Sequence, residues 1–520
     1  MIRCVPSPAL PAIPDSVPAC PEARPRVSAI VLNRDGADHL RHLFQSMLPE
    51  VAAWLHEIIV VDHGSRDDSV AVCADWSDRL PLRCVAFARN HSFSWSNNRA
   101  AERASGDYLL LLNNDVRFHD NPLPAMLAAA QATGGAVGAG QQHVASDGTP
   151  DGAPHIGVRL TWDPGARALR PKEAIPGPCD AGRRDGLAAM PAVTASCLVV
   201  SRERYRQLGG LAEGYDYGYE DVDFVLRLVL GVGLPVASLN GLDLRHQEGG
   251  TRRRRNTWTR ARRIQRNRRH FRKRWAYPAW RWWRRAVLAD PGGMLGRPLA
   301  VRLAVDPLGL PDYGFDGPTM AGWRGAASDQ ASEVVIAAEP GDTYFAGGDL
   351  PRLATIACLT RRDAAVWRDR PAALHALDLV VVADPAMRDE LLEAGAPAAA
   401  TRRKVSDKGW LACAAAAARV GIVAPGGPRG SRVIAAAREL ASAGHPVRIA
   451  RSARALTPWA DVFVHAWPSP FRGGPCGAPW VRLGRLETLA SRVSAADSAA
   501  RRGPGQDALP DLTGQAFPDG

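Results

Sequence analysis

Two acidic residues directly follow short apolar stretches, and their chemistry suits the binding of a nucleotide and a metal ion. Asp62 comes after Ile58–Val61, and Asp115 comes after Leu109–Leu112 and two asparagines. A carboxylate at a strand end can accept hydrogen bonds from a nucleobase or a ribose, or bind a hard divalent cation that bridges a diphosphate. The alternative is that both groups are ordinary polar turns whose side chains satisfy backbone amides.

A second group of candidate residues lies further along the chain. Glu220, Asp221 and Asp223 fall in the first turn of a predicted helix, Glu220–Leu230. One of them can act as a general base beside a sugar-binding cleft, or all three can simply stabilise the positive end of the helix dipole. His246 follows a predicted strand. It is suited to complete the metal shell of Asp115, or it has a structural role, which is commoner for a single histidine.

Alternating strands and helices must position these residues. Four apolar stretches are predicted as strands with helical patterns between them: Val27–Leu32, Glu57–Val61, Leu82–Ala86 and Asp107–Leu112. Buried parallel strands connected by helices have this pattern. We therefore predict an α/β doubly wound sheet, whose ligands bind at the carboxyl ends of its strands.

Length and composition exclude several classes of protein. The chain has 520 residues, of which 46% are apolar and 23% charged, so it is not collagen-like, a coiled coil or wholly disordered. Its nine cysteines include no C-x-x-C pair, which argues against a disulfide scaffold or a structural zinc site. No apolar run approaches the roughly 20 residues of a membrane helix, and the first residues lack the pattern of a signal peptide. We therefore expect a cytoplasmic protein.

The chain from Val27 to about Asp290 resembles the glycosyltransferase family 2 enzymes, especially the bacterial branch of O-antigen and cell-wall polysaccharide synthesis. Seven short segments and His246 carry the resemblance through their order and spacing. The segments are 27–36 (VSAIVLNRDG), 57–69 (EIIVVDHGSRDDS), 93–98 (FSWSNN), 106–115 (GDYLLLLNND), 193–200 (VTASCLVV), 209–211 (GGL) and 217–228 (YGYEDVDFVLRL).

The resemblance implies a GT-A fold, which is a Rossmann-like mixed sheet, and an inverting sugar transfer from a nucleotide-diphosphate sugar to a glycan or lipid-linked acceptor. It implies that Asp115 and His246 bind Mg²⁺ or Mn²⁺, and that Asp221 deprotonates the acceptor hydroxyl. Glu220 is counted with Asp221 as a catalytic residue, and Asp223 would lie on the acceptor side. Both would orient the acceptor or support Asp221. The residues expected around the nucleotide sugar are Asn33, Asp35, Asp62, Asn98, Asn114 and Asp115. The alternative function is a non-catalytic scaffold of the same fold that binds a sugar nucleotide or a membrane.

Most of the positive charge lies in one segment. The net charge is +12, and Arg252–Arg285 contains fifteen Arg and one Lys but no Asp or Glu. Part of it, Phe271–Trp275 ahead of Asp290, resembles a helix that follows the catalytic domain in the family. The other arginines, with five tryptophans, fit a helix on an anionic membrane surface, so we expect peripheral attachment to the inner face of the membrane. A solvated helix face is the alternative, and nucleic acid is disfavoured because no reader module accompanies the charge.

The predicted organisation has five segments. Residues 1–25 are predicted as a disordered arm, 26–250 as the GT-A domain and 251–292 as the basic Arg/Trp-rich helical segment. Residues 299–470 are predicted as a second Rossmann-like α/β region, which faintly resembles a degenerate half-domain of GT-B glycosyltransferases or a spore-coat-type glycosyltransferase. The Gly-, Pro-, Ser- and Ala-rich stretch 471–520 is predicted as a disordered tail.

Overall fold

A computed structural model of the chain gives its architecture. The described residues are 13, 20–21, 23–47, 49–166, 168–216, 218–247, 257–275, 278–304, 323–326, 328, 332–337, 350–359, 361–382, 384–397, 399–401, 414, 419–424, 431–443, 445–450, 459–465, 480–482 and 489–501. Most of the predicted arm at 1–25 lies outside them. They divide into an N-terminal unit, Leu10–Leu160 with Pro171–Phe271, and a C-terminal unit, Thr161–Arg170 with Arg272–Arg501.

Strands and helices alternate from Val27 onward. The strands up to His246 are β1 (Val27–Asn33), β2 (Glu57–Asp62), β3 (Leu82–Ala86), β4 (Tyr108–Asn113), β5 (Val116–Phe118), β6 (Ala136–Ala139), β7 (Gln142–His143), β8 (Val158–Asp163), β9 (Ala168–Glu173), β10 (Gly186–Ala189), β11 (Cys197–Ser201), β12 (Val236–Asn240) and β13 (Leu244–His246). The helices up to Trp275 are α1 (Ala37–Met47), α2 (Ser69–Trp76), α3 (Phe93–Arg103), α4 (Leu123–Thr133), α5 (Arg202–Gln207), α6 (Glu220–Leu226) and α7 (Thr257–Trp275). Short 3₁₀ turns lie at Ala52–Trp54 and Pro178–Arg183, and a π-helical turn lies at Arg227–Val232.

The main sheet of the N-terminal unit is mixed, as predicted for a GT-A domain. Its strand order is β10-β12-β6-β11-β4-β1-β2-β3. Strands β1 to β4 run parallel, whereas β11 is antiparallel to β4 and β6. Asn33 pairs with Asp62, and Leu32 pairs with Asn113, so β1, β2 and β4 end at the same edge. The polar residues that follow these strands therefore gather at this carboxyl edge of the sheet.

The apolar runs of β1, β2 and β4 form the core of the N-terminal unit. The interior of β1, β2 and β4 is buried almost throughout, because helices cover the sheet. Helix α1 places Leu40, Leu43, Phe44 and Met47 in this core at helical spacing. A small sheet, β5-β13-β7, lies in the same unit and pairs His246 with Val116 on one side and His143 on the other.

The C-terminal unit is also α/β, with its strands in two parallel sheets, β15-β14-β16-β17-β18-β19 and β21-β20-β22-β23. The strands are β14 (Leu299–Ala304), β15 (Trp323–Gly325), β16 (Val334–Ala337), β17 (Ala354–Leu359), β18 (Leu379–Val382), β19 (Ala399–Thr401), β20 (Val420–Val423), β21 (Val447–Ala450), β22 (Val462–His465) and β23 (Trp480–Arg482). The helices are α8 (Pro278–Ala289), α9 (Pro291–Leu295), α10 (Arg361–Arg368), α11 (Pro371–Leu374), α12 (Pro385–Glu393), α13 (Ser431–Ser442) and α14 (Leu489–Arg501).

The prediction of a disordered tail from residue 471 is wrong for two elements. Strand β23 pairs with β22, and helix α14 buries Leu489 and Val493 in the core beside β20 and β22. The alanine-rich composition misled the prediction, since alanine is also the strongest helix former. The other residues of the predicted tail lie outside the described part of the chain.

The basic segment is divided between two helices, and the membrane-surface prediction is wrong for the second of them. Four tryptophans of the segment are at most 8% exposed: Trp275, Trp280, Trp282 and Trp283. Arg284 on α8 is buried as well, and its guanidinium donates to Asp378 Oδ1 at 2.9 Å. Side chains that form a protein core cannot lie at a lipid interface. Residues 252–256 and the side chain of Trp258 lie outside the described part.

Helix α7 keeps the exposed basic face that the sequence indicates. Five of its arginines are exposed, and they are Arg262, Arg263, Arg266, Arg269 and Arg272. The opposite face packs within the N-terminal unit, where Asn267 accepts a hydrogen bond from Asp216 N and donates one to Gly218 O. Among the described helices, none combines the length and the apolar character needed to cross a membrane.

Candidate active site

A hydrogen-bonded group connects the ends of β1, β2 and β4. Asn114 Nδ2 donates to Asn33 Oδ1 at 2.7 Å, and Asn33 Nδ2 donates to Asp62 Oδ2 at 3.1 Å. The backbone N–H and the hydroxyl of Ser65 both donate to the Asp62 carboxylate. Asp62 is 1% exposed and both of its oxygens accept hydrogen bonds, so it holds the strand ends together. Its contact with a nucleobase stays a prediction.

The loop after β1 is strained where it meets this group. Asp35 has a φ of 49°, in the left-handed region that few residues with a side chain adopt. Its N–H donates to Ser65 Oγ, and its Oδ1 accepts from Arg66 N, both at 2.8 Å. A Cβ at Gly36 would lie 2.6 Å from Asn33 Oδ1 and 2.7 Å from Asn114 Nδ2, so glycine is required for these amides to meet. The exposed carboxylate of Asp35 is thus fixed at the carboxyl edge.

Asp115 and His246 lie side by side at the same edge. His246 Nε2 is 3.0 Å from Asp115 Oδ1 and 3.4 Å from Asn113 Nδ2. Burial acts to raise the pKa of Asp115, but the hydrogen bond and charge of His246, together with nearby His39 and a backbone hydrogen bond, hold the pKa below its usual range, so the carboxylate is ionised at neutral pH.

The pair fits a divalent cation. Two neighbouring ligand atoms of an octahedral ion with bonds of about 2.1 Å are about 3.0 Å apart. This is the separation of Asp115 Oδ1 and His246 Nε2. An ionised carboxylate and an imidazole nitrogen form a donor set that Mn²⁺ accepts, and a softer ion would be held through the same nitrogen.

Asp221 is tied to the antiparallel strand beside β4. Its Oδ2 accepts from Ala195 N at 3.2 Å, and its Oδ1 accepts from Val222 N at 2.8 Å. Asn113 N in turn donates to Ser196 O at 2.9 Å, so the residue next to Ala195 meets the end of β4. Hydrogen bonds therefore link Asp221 to Ala195, just before β11, and link the neighbouring Ser196 to Asn113. His246 contacts the turn that begins at Asn113.

The backbone before Asp221 is strained in the same way as that of Asp35. Tyr219, at the start of α6, has a φ of 79°. Tyr219 and Asp35 are the two non-glycine residues with positive φ in the described part of the chain, and both flank this edge. Strained backbone of this kind clusters at functional sites. Glu220, predicted to support Asp221, is buried beside it and 5% exposed.

Asp223 does not lie on an acceptor side, which corrects the prediction. Its side chain is 0% exposed. Arg227 Nε donates to its Oδ1 at 2.9 Å, and Tyr215 OH donates to its Oδ2 at 3.1 Å. Arg227 also donates to the carbonyls of Leu208 and Gly210. A fully covered carboxylate cannot touch an acceptor, so Asp223 anchors α6 to the preceding loop instead.

Asn98 is a second correction, because all of its described contacts organise a loop. Its Oδ1 accepts from Tyr205 OH at 2.7 Å and from Leu211 N at 2.8 Å. Its Nδ2 donates to Leu211 O and to Glu213 Oε1, both at 2.9 Å. These bonds consume the donors and acceptors of the amide, so Asn98 holds the loop ahead of α6 and is not placed to bind a nucleotide sugar.

Sequence reasoning missed an aromatic group next to Asp62. The rings of His91 and Trp95 stack with centroids 4.0 Å apart, and Phe87 meets Trp95 edge-on at 5.2 Å. Burial, followed by the nearby His91, lowers the pKa of His63 to about 4, so this ring is neutral at pH 7. The signal was present in the Phe-Ser-Trp-Ser stretch at 93–96, which matched the family without suggesting a role.

The fold and the site can be set beside solved structures. A mannosyltransferase from Pyrobaculum calidifontis, in complex with GDP-Man and Mn²⁺, is 18% identical, with a TM-score of 0.32 over 48% of this chain and 65% of that one. GalNAc-T7 with UDP, GalNAc and Mn²⁺ is 15% identical, with a TM-score of 0.38 over 53% and 52%. TarS from S. aureus in complex with UDP is 14% identical, with a TM-score of 0.31 over 43% and 60%.

Sequence comparison shows what part of the chain is similar to. The O-antigen biosynthesis protein RfbC of Myxococcus xanthus is 33% identical over 236 residues, which are 44% of this chain and 18% of that protein. Protein y4gI of Sinorhizobium fredii is 32% identical over 267 residues, 49% of this chain and 28% of that protein. The chain therefore matches less than a third of the length of either relative. The model of glycosyl transferase family 2 matches residues 28–189, so this part of the chain is similar to that family.

Proposed function

We propose that the chain is an inverting, metal-dependent glycosyltransferase. It moves a sugar from a nucleotide-diphosphate sugar to an acceptor hydroxyl, in the synthesis of a surface polysaccharide or glycoconjugate. The observation that supports this most is that Asp115 Oδ1 and His246 Nε2 lie 3.0 Å apart at the carboxyl edge that also carries the Asn33–Asp62 group. Asp221 is linked to this edge through Ala195, whose neighbour Ser196 accepts from Asn113 N. Ligands of open α/β sheets bind at this edge.

The nucleotide is proposed to bind across the ends of β1 and β2. Asp35 and Asn114 both have exposed surface at this edge, and they would make direct hydrogen bonds. Asn33 and Asp62 are buried, and both would help to position these residues. Asn33 accepts from Asn114 Nδ2, and Asp62 reaches the backbone of Asp35 through Ser65 Oγ. The stacked rings of His91 and Trp95 would border the base, because a flat apolar surface suits a nucleobase.

Asp115 and His246 are proposed to hold the cation. Their ligand atoms have the required separation, and the lowered pKa of Asp115 keeps its carboxylate ionised. A divalent cation at this place would neutralise the negative charge that develops on the departing diphosphate. The 3.4 Å contact between Asn113 Nδ2 and His246 Nε2 would give way to the cation, because the lone pair of one nitrogen cannot serve both.

Asp221 is proposed as the general base. The N–H groups of Ala195 and Val222 donate to its carboxylate and fix its orientation. The acceptor oxygen would bond to the anomeric carbon while the bond from that carbon to the diphosphate breaks, and the hydroxyl proton would pass to Asp221. A single displacement of this kind inverts the anomeric configuration.

The acceptor is proposed to be a glycan or a lipid-linked saccharide. The exposed arginines of α7 provide positive charge on the helix that packs against the Asp216–Gly218 loop, just ahead of Glu220 and Asp221. Such a face would attract the phosphate of a lipid-linked acceptor or an anionic membrane surface, with each basic residue near that surface contributing roughly 1 kcal/mol.

Removal of divalent cations is expected to stop sugar transfer. Because Asp115 and His246 would then face the diphosphate without a counter-charge, EDTA should abolish the release of nucleoside diphosphate from the donor sugar, and Mn²⁺ or Mg²⁺ should restore it. The Asp115→Asn variant should keep its fold and lose at least about 100-fold in rate, because it gives up an ionised ligand. The measurement is release of nucleoside diphosphate across a panel of nucleotide sugars.

Asp120→Asn is the matched control, since Asp120 is an exposed carboxylate in the same part of the chain and accepts from Asp243 N. It should retain the full rate. Transfer that persists in EDTA, or that Asp115→Asn leaves unchanged, would remove the cation from the proposal. No release from any donor by the native protein, with or without an acceptor, would favour the non-catalytic scaffold.

A further inference from the structure

A second group of ligand-type side chains lies in the N-terminal unit, apart from the pair formed by Asp115 and His246. His143 on β7, His155 in the following loop and Glu173 at the end of β9 each offer one ligand atom, and these atoms lie within 4.8 Å of one another. None of the three was selected from the sequence, because they are 12 to 30 residues apart and match no motif.

The group is buried, and one of its nitrogens lacks a partner. His155 is 1% exposed, and its Nε2 has no hydrogen-bond partner among the described residues. A buried polar atom without a partner is costly, so its presence points to a ligand. The His143 ring lies 5.3 Å from that of His155 between centroids, and His143 Nε2 lies 3.1 Å from Glu173 Oε2.

We propose that His143, His155 and Glu173 form a binding site for a zinc-class divalent ion. Two imidazoles and one carboxylate are a donor set that Zn²⁺ prefers, with water in the fourth position. In a tetrahedral zinc site the ligand atoms are about 3.3 Å apart. The three ligand atoms here lie within 4.8 Å of one another, so small rotations of the side chains would bring them to the distance that zinc needs.

One hydrogen bond of the group would have to change when the ion binds. Gly157 N lies 3.3 Å from His155 Nδ1, a long hydrogen bond. An ion on Nε2 would require the imidazole proton to occupy Nδ1, so the metal bond would replace that hydrogen bond.

The ion would tie together three segments next to His246. His143 pairs with His246 in register between β7 and β13, and their ring centroids lie 5.4 Å apart. Fixing His143 to His155 and Glu173 would therefore fix the strand beside His246. In this arrangement the ion stabilises the fold around the site without touching the donor sugar.

The test measures Zn²⁺ and Co²⁺ binding to the full chain, without a histidine tag, by calorimetry and by the visible absorption of bound Co²⁺. The native protein and Asp115→Asn should both bind one ion tightly at this site. Glu173→Gln and His155→Gln should weaken that binding by more than the roughly 10–100-fold that loss of an outer-shell partner costs. His119→Gln, at an exposed histidine, is the control and should bind as the native protein does.

X-ray absorption of Asp115→Asn loaded with one equivalent of Zn²⁺ makes the test independent of whether the ligand variants fold. Two coordinated imidazoles are expected. A zinc site with fewer imidazoles would overturn the proposal, and so would equal binding by the native protein and a folded Glu173→Gln. Because these readouts do not involve sugar transfer, they leave the proposed glycosyltransferase activity to its own tests.

Discussion

The Asp221→Asn variant is expected to lose sugar transfer while it still binds the nucleotide. The amide keeps the shape of the carboxylate but cannot take the proton of the acceptor hydroxyl. Loss of a general base costs about 10²–10⁴-fold in rate, so turnover should fall by that factor. The nucleotide affinity should stay unchanged, because the amide can still accept hydrogen bonds from Ala195 N and Val222 N and so keep the local structure. Steady-state kinetics and calorimetric binding of nucleoside diphosphate measure the two quantities separately.

Asp147→Asn is the matched control for this variant. Asp147 is an exposed carboxylate that bonds Thr149 in its own turn, so the same chemical change there should leave the rate unaltered. Full turnover by Asp221→Asn would exclude Asp221 as the base. An equal loss of turnover and nucleotide affinity would instead show that Asp221 acts by holding the edge together.

The Asp378→Ala variant is expected to destabilise the C-terminal unit strongly. The Asp378 carboxylate is fully buried and accepts from Arg284 Nη2 at 2.9 Å and from Arg419 Nε at 2.7 Å. Its other oxygen accepts from Arg419 Nη2 and from Thr355 N. Removing one partner of a buried ion pair leaves uncompensated charge and costs about 3–5 kcal/mol. Hydrogen exchange at the amides of β17 and β18 would measure this loss of unfolding free energy.

Two further substitutions make the stability prediction specific. Asp389→Asn changes an exposed carboxylate that pairs with its neighbour Arg388, so its effect should stay within about 0.5 kcal/mol. Asp378→Asn should fall between the two, because the amide oxygen still accepts but the negative charge is lost. Native-like exchange protection in Asp378→Ala would show that the buried arginines do not depend on this carboxylate.

Much of the sheet and its polar edge could be predicted because the information is local. Strands β1 to β4 are continuous apolar runs, and each of β1, β2 and β4 ends at or just before a polar residue, at Asn33, Asp62 and Asn113. Parallel pairing then requires these ends to meet, whatever the rest of the chain does. The position of Asp115 and His246 side by side followed from the family resemblance, since they are 131 residues apart.

Other features could not be predicted because distant residues decide them. Asn98 matched a family motif, but its partners are at Tyr205 and Leu211. The arginine and tryptophan pattern of α8 suggested a lipid interface. In the structure Arg284 donates to Asp378, which lies 94 residues away, so no local sequence signal indicates that this arginine is buried. For Asp223, by contrast, a local signal was overlooked: Arg227 lies four residues later, the spacing of a helical ion pair.

The short length of β6 and β7 explains why the sequence between Thr133 and Pro191 did not predict them as strands. Strand β6 has four residues and β7 has two, which is too few for a period to be recognised. Gly138 is needed within β6, because a Cβ there would lie 2.7 Å from that of Val193. Glycines close together in a short run favour a loop when only the sequence is considered, although here Gly138 permits close packing of a strand.

Binding of nucleoside diphosphates in the presence of Mn²⁺ tests the central claim most directly. At least one nucleoside diphosphate should raise the melting temperature of the native chain, with a larger rise when Mn²⁺ is present, because a ligand that binds the folded state stabilises it. The rise should shrink when Asp35 and Asn114 are both replaced by alanine. If no nucleoside diphosphate shifts the native protein, or if the double variant responds equally, the carboxyl edge of this sheet does not bind a nucleotide sugar.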